Sequence, residues 1–235
     1  MFAAESTGLT AMATTHTVRV PRTIAHGLTD QHSFLVLEYF DLASHGDSGL
    51  LGTQLAAMHG THADQFGWSR DNTIGVTPQH NNWSSDWINF WREQRLGFQL
   101  ELAAHNGYGG KLQALGKQVL DKIPDLFDGH TPQPSLLHGD LWGGNHAFLP
   151  DGTPLMFDPA TYYGDREADI AMTELFGGFE PEFYTAYRQA WPLDAGYPAR
   201  RTLYNLYHIL NHCNMVSSSY VHQAERMMQG LLRKS

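Results

Sequence analysis

The chain has 235 residues, 42% hydrophobic, 12% aromatic and only 17% charged, a composition that supports a sizeable core and excludes an intrinsically disordered protein. Its formal net charge is −9, with no basic stripe, so nucleic acid and anionic membrane surfaces, which need clustered Lys and Arg, are disfavoured partners. Cys213 is the single cysteine and residues 1–20 lack a basic n-region with an apolar core; with no apolar run of roughly 18 residues either, a cytoplasmic protein is expected.

In chain order, residues 2–14 predict a helix, with Phe2, Glu5, Leu9 and Met12 on one face. Glu5 is the anomaly, because a carboxylate on an apolar stripe needs a cationic partner or a proton. Residues 17–20 look like a strand ending at Pro21. Residues 23–28 and 33–39 follow as an antiparallel pair, separated by the turn-like Thr29-Asp30-Gln31-His32. A polar connector spans 41–49. Residues 48–59 predict a helix with Ser48 as N-cap and Leu51, Leu55 and Met58 as its stripe. The stretch 66–82 has little periodicity and much Gly, Asn, Thr and Pro, and is expected to be loop. Residues 84–105 predict the longest helix, capped by Ser84 or Ser85. Its aromatics Trp87, Phe90, Trp91 and Phe98 are expected in the core, with one or two near 87–91 as alternatives for lining a sugar site. A further helix covers 112–126.

Residues 135–169 hold the chemistry. Ser135-Leu136-Leu137 is a short apolar run that delivers His138-Gly139-Asp140-Leu141-Trp142-Gly143-Gly144-Asn145. Residues 145–149 and 154–158 read as two strands joined by Pro150-Asp151-Gly152-Thr153, a hairpin signal because Gly takes positive φ without steric cost. Centring the turn on Asp151-Gly152 places Asn145 opposite Asp158, so that both converge near Asp140. Two carboxylates and an amide form a set of hard oxygen ligands of the kind Mg2+ prefers. A helix starting near Asp165 then puts Asp165, Glu167 and Asp169 in its first turns, where acids favour the helix dipole. Helices over 180–191, 199–215 and 219–232 complete the chain.

The H-x-D-L-x-x-x-N order with a later acid resembles the protein-kinase catalytic loop and its metal-binding Asp. Gly139 stands where that loop has Arg, and Asp158-Pro159-Ala160 replaces Asp-Phe-Gly. This variant resembles the aminoglycoside-phosphotransferase-like small-molecule kinases. The longer string LLHGDLWGGN…FDPATYYGDREADIAM, with Gly67, Asn72, Gly75, Thr77-Pro78-Gln79 and Trp83, resembles the fructosamine (ketosamine) kinase family. The likeness runs from about residue 2 to about residue 232.

That resemblance implies an α+β, protein-kinase-like (aminoglycoside-phosphotransferase-like) fold. Residues 1–40 would form an incomplete N-terminal β lobe with the hinge strand, and 41–235 a mainly helical C-terminal lobe carrying the catalytic loop. It implies ATP-dependent phosphorylation of a sugar-type hydroxyl on a ketosamine, a glycated amine of a small molecule or a protein lysine, with ATP and Mg2+ as cofactors. Carried over, Asp140 receives the hydroxyl proton, and Asn145 and Asp158 hold Mg2+. Leu37 backs the adenine, whose edge bonds the Glu38 carbonyl and the Phe40 amide. Asp169 bonds the catalytic-loop backbone in a supporting role. Oligomeric state is not implied.

Kinases also cradle the phosphates with a Gly-rich loop and a lysine. Here Lys111 is the first lysine, and no G-x-G-x-x-G precedes residue 40. The expectation is therefore a fructosamine-kinase-like chain short of its first strands, with little turnover as written and an exposed sheet edge. Glu5 would then sit where the partner of that lysine belongs. Two alternatives stand beside this reading: an inactive kinase-like protein, and a kinase of another hydroxyl of the aminoglycoside, choline or homoserine type. Zinc hydrolysis is disfavoured, because Gly60 follows His59 and Ile209 follows His208 where H-E-x-x-H is required.

Overall fold

The computed structural model describes residues 1–233. Helix α1 (Phe2–Thr14) forms as expected. Leu9 and Met12 enter the core, Glu5 is half-buried, and Gly8 lets the helix approach Thr161, since a Cβ there would lie 2.7 Å from its Oγ1. Strands β1 (Thr23–Leu28) and β2 (Ser33–Leu37) pair antiparallel with a bulge between Thr23 and Ala25. This two-stranded ribbon leaves apolar surface in water: Leu28 is 84% and Ile24 57% exposed. Residues 17–20 differ from expectation. Val18 and Val20 are buried, yet the segment belongs to no sheet, and the Arg19 carbonyl accepts from the Met156 N–H at 3.0 Å.

Helix α2 (Ser48–His59) is capped by Asp47, not by Ser48; the Asp47 carboxylate accepts from the Leu50 N–H at 2.7 Å. The stretch expected to be loop contains a hairpin, β3 (Asn72–Ile74) with β4 (Thr77–Gln79), paired Asn72 to Gln79. The long helix begins later than expected. Ser84 is held in a bridge, exchanging backbone hydrogen bonds with Phe66 at 2.9 Å each way, so Asp86 caps α3 (Trp87–Phe90) through the Ile88 and Asn89 N–H groups. A π-helical segment, Trp91–Gly97, leads into α4 (Phe98–His105). Trp87, Phe90 and Trp91 are core: Trp87 stacks on Phe90 and tilts against Trp91, which meets Tyr204 edge-on. Then come α5 (Lys111–Lys122) and a 3-10 turn, Ile123–Phe127.

Strand β5 (Ser135–Leu137) pairs with β8 (Tyr162–Gly164), and between them lies the hairpin of β6 (His146–Phe148) and β7 (Pro154–Met156). Helices α6 (Glu167–Leu175), α7 (Pro181–Ala190), α8 (Tyr197–Met215) and α9 (Val221–Arg233) follow. With four two-stranded sheets among the described residues and predominantly helical elements around them, the fold is α+β. The acids at the start of α6 do more than oppose a dipole. Glu167 takes a two-point contact from the buried Arg200 at 2.7 and 3.1 Å. Asp165 accepts from Tyr204 at 2.6 Å and meets His130 at 3.0 Å. A buried pair of this kind persists because each partner is matched; unpaired, either charge would be costly. Among the described residues no helix is long and apolar enough to cross a membrane.

Candidate active site

Asp169 organises the site from behind. It is 1% exposed; its Oδ2 accepts from the His138 N–H at 2.7 Å and its Oδ1 from the Gly139 N–H at 2.8 Å. His59 Nε2 meets the same carboxylate at 3.1 Å, while His59 Nδ1 meets the Tyr187 hydroxyl at 2.8 Å. Burial alone would raise the Asp169 pKa, but the His59 bond and the loop N–H groups hold it below the usual carboxylate value. The sequence-expected support role is thus visible as geometry. His59, one of the histidines weighed as a metal ligand, belongs to this support.

Gly139 has φ 84, and a Cβ on it would collide with the Ala160 carbonyl oxygen. The loop that begins at Asp158 therefore packs where any side chain at 139 would stand. The β6–β7 register differs by one residue from the expected one. His146 pairs with Met156 and the Phe157 N–H donates to the Asn145 carbonyl at 3.0 Å, so Asn145 faces Phe157 and not Asp158. The turn takes one more residue than the two-residue turn assumed, with the Leu149 N–H donating to the Thr153 carbonyl at 2.8 Å. Asp158 then leaves the strand in a left-handed conformation, φ 55, a sparsely populated state for a non-glycine residue.

After the shift Asn145 still meets both acidic segments, through their backbones, while it lines neither cavity described below. Asn145 Nδ2 donates to the Asp140 carbonyl at 2.9 Å and to the Asp158 carbonyl at 3.2 Å. Two carbonyls on Nδ2 fix the orientation of the amide, since reversing it would set oxygen against oxygen. Asp140 and Asp158 line one cavity of about 270 Å³ together with Glu5, Asn72, Gly75 and Val76. Burial, with the charges of Asp158 and Asp169 added, pushes the Asp140 carboxyl up to about 7. Burial and then the Asp158 charge likewise push Glu5 up to about 7. Glu5 is the anomalous acid of the sequence, and it shares this acidic cavity. Mutually repelling carboxylates of this kind, all hard oxygen donors, fit a divalent cation such as Mg2+.

Asp140 also lines a second cavity, of about 390 Å³, walled by Trp142, Phe176, His208, Asn211 and Tyr220. Burial, then the neighbouring His212, pushes His208 down to about 3, so the imidazole is neutral. Glu38 and Phe40 lie apart from both cavities. Glu38 lines a third, of about 480 Å³, between α1 and β1; its carboxylate accepts from Arg19 Nη2 and the Arg22 N–H, both at 3.2 Å. The Phe40 ring carries the Arg19 guanidinium 5.0 Å above its centre. Residues 87–91 line neither of the cavities that Asp140 shares. Sequence reasoning gave no role to Gln79, Asn81 and Arg95, whose side chains bind the β3–β4 hairpin to the site; their only signal was that Gln79 and Asn81 fall in the 66–83 stretch, where Gln79 is one of the residues that carry the resemblance.

The chain is 49% identical to a probable ketoamine kinase of Synechocystis, over 99% of its own length and 79% of that protein. It is 44% identical to a chloroplastic protein-ribulosamine 3-kinase of Arabidopsis thaliana, over 99% of the chain and 72% of the relative. The crystal structure of a candidate fructosamine-3-kinase from Haemophilus somnus superposes with a TM-score of 0.90 at 32% identity, covering 99% of this chain and 80% of that one. The fold is accordingly the kinase-like α+β fold shared with the aminoglycoside phosphotransferases. The fructosamine kinase family model matches residues 1–234, and the chain belongs to that family.

Proposed function

We propose that this protein transfers the terminal phosphoryl group of ATP to a sugar-type hydroxyl of a ketosamine, carried on a small molecule or on a protein lysine. The observation that carries the reading is that Asp140 lines both the acidic cavity and the aromatic one. A group at that boundary can touch an acceptor on one side and face the transferred phosphate on the other. Asp140 accepts the hydroxyl proton and aligns the oxygen for attack, a role suited to a carboxylate whose pKa is raised towards the working pH. Asn145 and Asp158 would hold Mg2+, the Asn145 amide being oriented by its two carbonyl contacts. When bound, Mg2+ neutralises charge on the phosphates; the chain's own contribution is positioning. The aromatic cavity takes the ketosamine, with Trp142, Phe176 and Tyr220 offering faces to the sugar and its amine. The Glu38 carbonyl and the Phe40 amide receive the adenine edge at the end of β2. A cytoplasmic setting suits the buried, unpaired Cys213.

The test is direct. The protein is incubated with MgATP and, in parallel, with synthetic fructosamine, ribulosamine, an aminoglycoside, choline and homoserine, and phosphorus NMR reads the product. Transfer to ketosamines alone, slow in a chain with no lysine before Lys111 and lost in Asp140→Asn with nucleotide binding retained, is the expected result. Transfer to another acceptor in preference, or an Asp140→Asn variant with most of its kcat, overturns the reading.

A further inference from the structure

Residues 157–161 are held at four of their five carbonyls. Two restraints come from the catalytic loop: His138 Nε2 on the Phe157 carbonyl at 3.0 Å, and Asn145 Nδ2 on the Asp158 carbonyl at 3.2 Å. The other two come from the β3–β4 hairpin. Gln79 Nε2 donates to the Ala160 carbonyl at 3.1 Å, and Asn72 Nδ2 to the Thr161 carbonyl at 2.8 Å. We propose that this hairpin is a second clamp on the loop bearing Asp158, and that Gln79 is its positioning residue for divalent-cation binding. The proposal rests on the reading of Asp158 as a metal ligand.

The hairpin is built for that task. Strands of three residues are too short to hold themselves, so their rigidity must come from outside. Gln79 is 1% exposed, and every polar atom of its side chain is engaged. Nε2 serves Asn72 Oδ1 at 2.8 Å as well as Ala160, and Oε1 accepts from the Tyr207 hydroxyl at 2.8 Å. Asn81 Nδ2 adds a second donor to Asn72 Oδ1 at 2.9 Å. Arg95, in the π-helical segment, donates to Asn81 Oδ1 at 2.6 Å and to the His80 carbonyl. Its guanidinium lies 4.6 Å from the Phe90 ring centre and 4.1 Å from that of Tyr162, both buried core rings. A continuous path of hydrogen bonds therefore runs from the core through Arg95, Asn81, Asn72 and Gln79 to the Ala160–Thr161 backbone. It ends two and three residues beyond Asp158, whose left-handed backbone persists only if its neighbours are held. The hairpin tip, at Gly75, lines both cavities that meet at Asp140. The same clamp thus fixes the wall between them.

The experiment titrates Mn2+ into the protein with a non-hydrolysable ATP analogue and no acceptor, reading free Mn2+ by electron paramagnetic resonance. Wild type, Gln79→Leu, Tyr207→Phe, Asp158→Asn and the remote core variant Val119→Ala are compared. Gln79→Leu should weaken Mn2+ binding roughly tenfold, the scale of one lost buried hydrogen-bonding group, and Tyr207→Phe about threefold. Val119→Ala should lower the thermal midpoint while leaving Mn2+ affinity unchanged, which separates positioning from general destabilisation. Unchanged Mn2+ affinity in Gln79→Leu overturns the clamp; if that variant fails to fold, unchanged affinity in Tyr207→Phe does so. Asp158→Asn equal to wild type would instead remove the metal assignment on which the clamp rests.

Discussion

Replacing Asp169 with Asn keeps the shape of the side chain and removes its charge at the point where the catalytic loop is anchored. In the wild type three donors converge on this carboxylate: the His138 N–H at 2.7 Å, the Gly139 N–H at 2.8 Å and His59 Nε2 at 3.1 Å. The amide group of Asn must face at least one loop N–H with a donor of its own. If Nδ2 takes the Oδ1 position, the Gly139 N–H is orphaned. If it takes the Oδ2 position, His59 can change tautomer through Tyr187, but the His138 N–H stays unpaired. A buried orphaned N–H costs about 1–3 kcal/mol, and converting the surviving charge-assisted bonds to neutral ones costs about 1 kcal/mol each, for a total of roughly 3–5 kcal/mol. For a chain of this size, at about 2–4 °C per kcal/mol, the thermal midpoint should fall by ~10 °C at neutral pH. Differential scanning calorimetry reads the shift, with Asp169→Ala expected to be worse because it orphans all three donors. A midpoint within about 2 °C of wild type would refute the reasoning, since a loss that small lies below the cost of even one buried unpaired donor.

Gly139→Ala forces a side chain onto a positive-φ position already occupied by the Ala160 carbonyl. A loss of about 2–4 kcal/mol in urea unfolding is expected, and a change within ~0.5 kcal/mol would show that the two loops are free to separate. His208 links stability to pH. Its folded pKa is pushed down to about 3 by burial, so below pH ~6.5 the unfolded chain takes up a proton that the native state refuses, and stability falls as pH falls. Between pH 7.5 and 5.0 this single residue should cost wild type about 2 kcal/mol that His208→Gln does not lose. Identical pH dependence of unfolding in the two proteins would count against a neutral buried imidazole.

Much of the architecture was legible in the chain itself, because it depends on neighbours in sequence. The helices over 2–14 and 48–59 were visible from apolar spacing, the β6–β7 hairpin from Pro150-Asp151-Gly152, and the proximity of Asn145 to Asp140 and Asp158 from the order of a short motif. Tertiary contact decided the details that adjacent residues leave open. Ser84 had the chemistry of a cap, but its backbone was taken by Phe66, and Asp86 capped the helix instead. The hairpin register turned on a single extra turn residue, which moved Phe157 opposite Asn145 and bent Asp158 into left-handed backbone. Residues 66–82 looked structureless because Asn72, Gln79 and Asn81 find their partners on Arg95, Ala160, Thr161 and Tyr207, up to 128 positions away. Periodicity reports which face of an element is apolar; it carries no record of a polar side chain satisfied by a distant backbone. Such bonds exist only once the chain has folded, and here they set the acidic cavity beside the aromatic one.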